Sequence, residues 1–560
     1  MTLASLASVE VRPSRTILAV CTVGRATCAA PIIEICRILH ARGHRIEFAC
    51  LAGWQKLAAP HDFIARTHIV GRDLTEQEDE HLYRVLDASG IQTHDERVKM
   101  FQGFDILFSW WTETYSKIRR LCQEIQPGFL FVDELADSAM DVARELHIPF
   151  AGMAPQSPPV GISCYYISGM PGYQIKHLTN EHASLWDRIR EELGHLKLLV
   201  AVRAAGFGEE GAMMRREAGL NLKPPPGPGK PDHLFFVNSF FGLEVPKELP
   251  PMVRPVGPVL ADTWPALSTS PHAEDFLSSH QRVLYMAFGT HIVTPDERKK
   301  RVVSGINAAL REGTIDGVIW AMKPAHTSSQ VHRARDLKTR DGEYELITRN
   351  HYPHWLVQPW LPQRAILDHP SVCMYFAHCG GSSTVEAAYH GVPVLAMPGY
   401  GDQFGHAMRL EAAGVAVRID KNLSTAQDIT SAIRSIAQDE YGMFARNVLR
   451  LRRIAHVNAE RKYLAAQMIE EVIYDSELRF DFPPRGREWL LKNGGAGTDG
   501  EGDGFAHGRE LRACHVETAD MRMSLVKRLN LDLMVARLFY PPLLVLSYMW
   551  EIFRTRKRES

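Results

Sequence analysis

Short apolar runs and segments of helical period alternate along the first half of the chain. Thr16–Cys21 (TILAVC) has no interior polar residue and reads as a buried strand. A loop at 22–29 follows. Next comes a helical segment with Ile32, Ile35, Cys36 and Leu39 on one face, Pro31 in its first turn and Gly43 past its end. Arg45–Leu51 (RIEFACL) is a second strand, so this is a βαβ unit and predicts a parallel sheet. Residues 60–125 read as mostly helical and polar. A strand at 129–132 ends at Asp133 and Glu134 and leads to a helix over 138–146, and 234–238 is a further strand.

The pattern then restarts. Strands at 283–288, 318–322, Trp355–Gln358, 373–377 and 392–397 alternate with helices over Asp296–Arg311, 383–390 and 404–413. Two α/β domains follow, each a doubly wound parallel sheet, with further helices at the C-terminal end. The expected organisation is a disordered N-terminus at 1–14, a first domain at 15–255, a linker at 256–282 and a second domain at 283–475. A flexible Gly/acidic insertion at 485–513 and a helical tail at 516–560 complete it. Stretches at 153–178 and 222–231, rich in Pro and Gly, suit loops; the first is also aromatic and suits binding.

Composition adds little but excludes much. The 560 residues carry a net charge of -1, which gives no basic face for nucleic acid. Nine scattered cysteines form no CxxC pair, so neither a zinc site nor a disulfide framework is indicated, and a reducing, cytoplasmic location is expected. Near the C-terminal end LFYPPLLVLSYMW (538–550) is followed by Arg554, Arg556, Lys557 and Arg558. Thirteen residues are too few to span a bilayer. Two readings stay open: an interfacial helix on the cytosolic face of an internal membrane, or a helix packed on the protein.

The richest chemistry lies between Trp360 and Gln403. His378, Cys379, Gly380, Gly381, Ser382 and Ser383 form a turn between a strand and a helix, where backbone amides and small residues suit a diphosphate. Glu386, one turn further on, suits a ribose diol. Trp360 and Gln363 offer a flat face and an amide for a base, and Asp402 and Gln403 suit sugar hydroxyls.

This segment resembles the signature of the family 1 UDP-glycosyltransferases, most closely the fungal members. W-x-P-Q, L-x-H, H-C-G-x-x-S-x-x-E, G-x-P and P-x-x-x-D-Q all occur, fifteen matched positions in 44 residues. Arg42–Gly43–His44, the segment 236–244, and Phe288–Gly289–Thr290 extend the similarity over about residues 15–470. The resemblance implies a GT-B fold, two Rossmann-like domains facing across a cleft. It implies that Trp360 stacks on uracil, Gln363 holds base or ribose, and Glu386 binds the ribose. His378, Gly380, Ser383 and Thr290 would contact the diphosphate, and Asp402 and Gln403 the sugar. Ser382 stands where the family usually has Asn. The implied activity is an inverting transfer of a hexose, glucose by default, from a UDP-sugar to an acceptor hydroxyl; the aromatic loop at 153–178 and the apolar tail suit a lipophilic acceptor, a sterol, terpenoid or polyketide. No cofactor is implied beyond the UDP-sugar substrate, and no D-x-D triplet marks a metal site.

One position departs from the pattern. The family's catalytic base is a histidine three residues before a proline in the first strand–helix loop; here Cys28 stands three before Pro31. The aspartate that orients that histidine matches Asp133. Three readings stand open: Asp133 or Glu134 is the base, Cys28 substitutes as a thiolate, or the chain is a catalytically weak or inactive binding partner. An epimerase on the same fold is a further alternative, which Asp402 and Gln403 disfavour. His44, His369, Trp110 and Trp111 read as structural.

Overall fold

A computed structural model describes residues 9–88, 96, 98, 110–155, 182–204, 209–220, 230–289, 295–322, 347, 352–478, 515–537 and 545–550. The loop expectations at 156–178 and 222–229, the insertion expected at 485–513, Thr290 and most of the N-terminus expected at 1–14 lie outside these residues, as do 538–544 and 551–560 of the tail.

Seven parallel strands form the first sheet: β1 (Thr16–Cys21), β2 (Arg45–Leu51), β3 (Ile64–Gly71), β4 (Phe129–Asp133), β5 (Phe150–Ala154), β6 (Leu234–Val237) and β7 (Val253–Pro255), in the order β3-β2-β1-β4-β5-β6-β7. The second sheet is β8 (Val283–Ala287), β9 (Gly317–Ala321), β10 (Trp355–Gln358), β11 (Val372–Ala377), β12 (Val394–Ala396) and β13 (Ala416–Arg418), also parallel, ordered β10-β9-β8-β11-β12-β13. Strand order reverses between β1 and β4, and again between β8 and β11. Ligands in such sheets bind at the carboxyl ends of the strands beside the reversal. Alternation sends Ile17, Ala19 and Cys21 to one core and Leu18 and Val20 to another, so each sheet is covered on both faces.

The structure departs from the sequence expectations at several elements. Pro31 is the sixth residue of helix Ala26–Ala41, not part of its first turn. Its missing N–H costs one intrahelical bond, and the buried face of Ile32, Ile35 and Leu39 offsets that cost. The segment read as helical at 60–125 contains edge strand β3, whose Arg66, Thr67 and His68 conceal its pattern. β5 runs through Met153 and Ala154, where a loop was expected; its alternation is hidden because every residue is buried. The segment 256–282 contains helix Pro271–Ser279, which buries Ala273 and Leu277 in the second core.

Helix Arg461–Leu478 crosses back to the first domain, past the expected boundary at 475. Ala465, Ala466, Ile469, Val472 and Ile473 enter the first core. Buried Lys462 meets Glu34 at 2.8 Å, and Glu470 takes Arg42 at 2.6 Å beside His44 at 3.4 Å. His44 is thus a packing residue. So are Trp110 and Trp111, the latter donating to Asp141 at 2.9 Å.

Candidate active site

β1 and β4 end side by side, and their loops hold the residues expected to serve as base. Asp133 is fully buried. Its Oδ2 accepts the N–H groups of Thr22 at 2.8 Å and Val23 at 3.3 Å, and its Oδ1 accepts that of Leu135 at 3.0 Å. Burial raises its carboxyl to about 7 against the pull of these donors. Glu134 is the next residue and is half-buried. Among the described residues no side chain hydrogen-bonds its carboxylate. Burial, then the charges of Asp402 and Asp133, raise it to about 8.

Cys28 lies inside helix Ala26–Ala41, against Gly24, where an added Cβ would come within 2.3 Å of Sγ. Burial, reinforced by Asp133, Glu134 and Asp402, pushes this thiol well up, so it is protonated at neutral pH. Asp402 acts on both Glu134 and Cys28, so a carboxylate of the second domain faces two residues of the first across the cleft.

In the second domain β11 ends at Ala377, and Cys379 then takes a left-handed conformation, φ 62°. That turn sends the chain into helix Gly381–His390, whose N-cap, Gly380, has no capping side chain. Its first amides therefore lack a side-chain cap, which is what an anion site at a helix N-terminus requires. The His378 ring is packed between two glycines: an added Cβ would fall 3.1 Å from it at Gly289 and 2.6 Å at Gly380. Gly381 approaches the first domain so closely that its Cβ would meet Pro155 Cβ at 2.6 Å. Ser382 is half-buried and Ser383 buried.

Gln363 and Glu386 form one network. Gln363 Nε2 donates to Glu386 Oε2 at 2.6 Å, while Tyr285 and Tyr375 each donate to Gln363 Oε1 at 3.1 Å. Burial raises the Glu386 carboxyl against the pull of Gln363 and Arg364. Trp360, three residues before Gln363 in sequence, is 62 % exposed, so its face is open.

Asp402 begins helix Asp402–Ala412, where a negative charge suits the dipole. Arg409 is held by Glu244 at 2.8 Å and donates to His406 Nδ1 at 3.1 Å. The ring proton therefore sits on Nε2, 3.3 Å from Asp402 Oδ2. Burial pushes the Asp402 carboxyl up, but His406, His378 and Arg409 bring it below its ordinary value. Gln403 spends its carbonyl on the Gly399 and Tyr400 N–H groups, at 2.8 and 3.2 Å, and its side chain also hydrogen-bonds the Tyr400 side chain, so it is fixed at the start of this helix.

The structure thus brings Cys28, Asp133 and Glu134 opposite Asp402, and groups Gln363 with Glu386 and His378 with Gly380. Several contributors were not foreseen. His406 stands four residues after Asp402, a spacing that was readable. Tyr285 and Tyr375 act through distant partners and gave no local signal, and Gly381, read only as part of the turn, meets Pro155 of the other domain. Nor did Asp87, which pairs with Arg298 at 2.7 Å across the two domains, beside Lys421 bridging the Asp87 and Gly399 carbonyls. No group of three or more His, Cys, Asp or Glu among the described residues is arranged to hold a metal.

Two doubly wound parallel-sheet domains, with strand order reversing once in each, define the GT-B class of glycosyltransferase fold. The fold matches the crystal structure of the glycotransferase of kitacinnamycin, with a TM-score of 0.57 and 19 % identity over 82 % of this chain and 99 % of that one. Residues 231–464 match the family described as UDP-glucoronosyl and UDP-glucosyl transferase. The UDP-glycosyltransferase stmC of Aspergillus ustus is 49 % identical over 95 % of this chain and 96 % of its own. A UDP-glycosyltransferase of Talaromyces amestolkiae is 48 % identical over 94 % and 96 %, and FPY2 of Fusarium mangiferae 38 % over 96 % and 97 %. The chain belongs to the UDP-glycosyltransferase family and uses a UDP-sugar as donor.

Proposed function

We propose that this enzyme transfers glucose, with inversion, from UDP-glucose to a hydroxyl of a lipophilic small molecule, and that Glu134 is the base. The observation that carries this reading is the position of Glu134: a half-buried carboxylate that no side chain among the described residues hydrogen-bonds, opposite Asp402. Asp133 beside it is occupied by three backbone donors and orients the β1 loop. Cys28 is a neutral thiol and takes no proton.

The acceptor oxygen attacks the anomeric carbon from the face opposite the diphosphate. Its proton passes to Glu134 as the carbon–oxygen bond forms. The anomeric bond to the diphosphate breaks and its electron pair leaves with UDP. The N-terminus of helix Gly381–His390 and His378 receive that developing charge. Trp360 stacks on uracil, Gln363 and Glu386 hold the ribose, Gly380, Ser382, Ser383 and Thr290 line the diphosphate, and Asp402 and Gln403 bind sugar hydroxyls. An ionised Asp402 favours a neutral hexose over a uronic acid, which would bring a second carboxylate beside it. The aromatic composition of 156–178, with Tyr165, Tyr166 and Tyr173, supports a lipophilic acceptor: a sterol, terpenoid or polyketide.

A second reading, a donor-binding partner without turnover, is favoured by Cys28 alone. Both are tested by incubating the protein with UDP-glucose, UDP-galactose or UDP-glucuronate and a panel of lipophilic hydroxylated acceptors. Acceptor-dependent UDP release with a β-linked glucoside supports transfer. Saturable UDP binding without product for any pair supports the binding partner.

A further inference from the structure

The last described part of the chain leaves its apolar side chains uncovered. Helices Leu525–Arg528 and Leu531–Arg537, the C-cap Leu529 between them and the helical residues 545–550 expose Leu529, Leu533, Val535, Leu546, Tyr548 and Trp550 at 43 to 70 %. Side chains of this kind, clustered and solvent-facing, mark an interaction surface. The segment is nevertheless fastened to the first domain. Lys230 Nζ donates to Asp520 at 2.6 Å and to Thr518 at 3.1 Å, His515 meets Asp475 at 3.2 Å, and Met521 is buried. This anchor lies directly before the exposed helices of 525–537.

Charge identifies the partner. Lys527, Arg528 and Arg537 are interspersed with the exposed apolar residues. In sequence, 524–560 holds seven Lys or Arg against three Asp or Glu, a net of +4 in a chain whose total is -1. Aromatic and aliphatic side chains bordered by cations fit the headgroup region of an anionic bilayer. No helix among the described residues is long and apolar enough to cross a membrane. A second copy fits less well, because a two-fold interface would set these cations near their own counterparts.

We propose that the exposed helices of 524–537 and 545–550 dock on an anionic lipid surface. This is independent of the identity of the acceptor. The test is flotation of the full chain with phosphatidylcholine vesicles, alone or with about 30 % phosphatidylserine. A variant combining Leu533→Glu, Val535→Glu, Tyr548→Glu and Trp550→Glu is compared, with its fold checked by circular dichroism and UDP binding. The wild type is expected to bind the anionic vesicles, release on added salt and bind neutral vesicles at least about tenfold more weakly. The variant is expected to lose at least about tenfold in partitioning. Absence of flotation, equal binding to both vesicles or undiminished binding by the variant overturns the proposal. So does a wild-type dimer that the variant converts to monomer, since the surface is then a self-association face.

Discussion

Asp133 Oδ2 accepts the backbone N–H of Thr22 at 2.8 Å, which ties the carboxylate at the end of β4 to the first residue beyond β1. With Val23 and Leu135 as further donors, Asp133 acts on backbone, and proton transfer falls to its neighbour. Asp133→Asn turns an amide group toward these donors. We expect a stability loss of about 1–3 kcal/mol by chemical denaturation. An unchanged midpoint would mean that these bonds hold nothing.

Activity should fall on acidification. The Glu134 carboxylate is the reactive form and its value is raised to about 8. So kcat/KM should drop about tenfold per pH unit below that point and level off above it. Stability runs the other way. A carboxyl raised on folding contributes fully below its unfolded value and loses that contribution as pH rises through about 8. The denaturation midpoint should therefore decline from mildly acid to alkaline pH, and Glu134→Gln should flatten part of the decline.

Trp360 is exposed, so its removal should affect the ligand and spare the fold. Trp360→Ala is expected to weaken UDP by about 1–3 kcal/mol, the usual contribution of one base stacked on an aromatic ring. Calorimetric titration measures this, and the melting temperature should stay within about a degree. Normal UDP affinity would place the base elsewhere.

The approach of Gly381 to Pro155 sets how closely the domains meet. Gly381→Ala places a methyl within 2.6 Å of the proline ring. We expect turnover to fall more than tenfold, roughly the effect of an ångström of misplacement, with partial rescue by adding Pro155→Gly. A fall that Pro155→Gly does not relieve would locate the effect in the anion site instead.

Much of this was legible in the sequence, for physical reasons. β1, β2 and β10 are short runs with abrupt ends, and helix Asp296–Arg311 opens with two acids and shows a clear period, so their bounds match, while β8 ends one residue before the expected Phe288. β3 and β5 were hidden, one by polar edge residues and the other by burial of every position. The Trp360–Gln403 segment was readable because its residues are close in sequence. The arrangement around Glu134 was not, since Asp402 lies far along the chain and only the closed cleft brings them together. The supporting Tyr285 and Tyr375 pair, stacked at 5.1 Å, was invisible for the same reason.

The central claim is that Glu134 takes the acceptor's proton, and acceptor-dependent UDP release measures it most directly, in wild type, Glu134→Gln and Cys28→His. The account predicts turnover by the wild type and a loss of roughly 10²–10⁴-fold in Glu134→Gln, with the Kd for UDP unchanged. Wild-type rates in Glu134→Gln, or turnover seen only in Cys28→His, would contradict it.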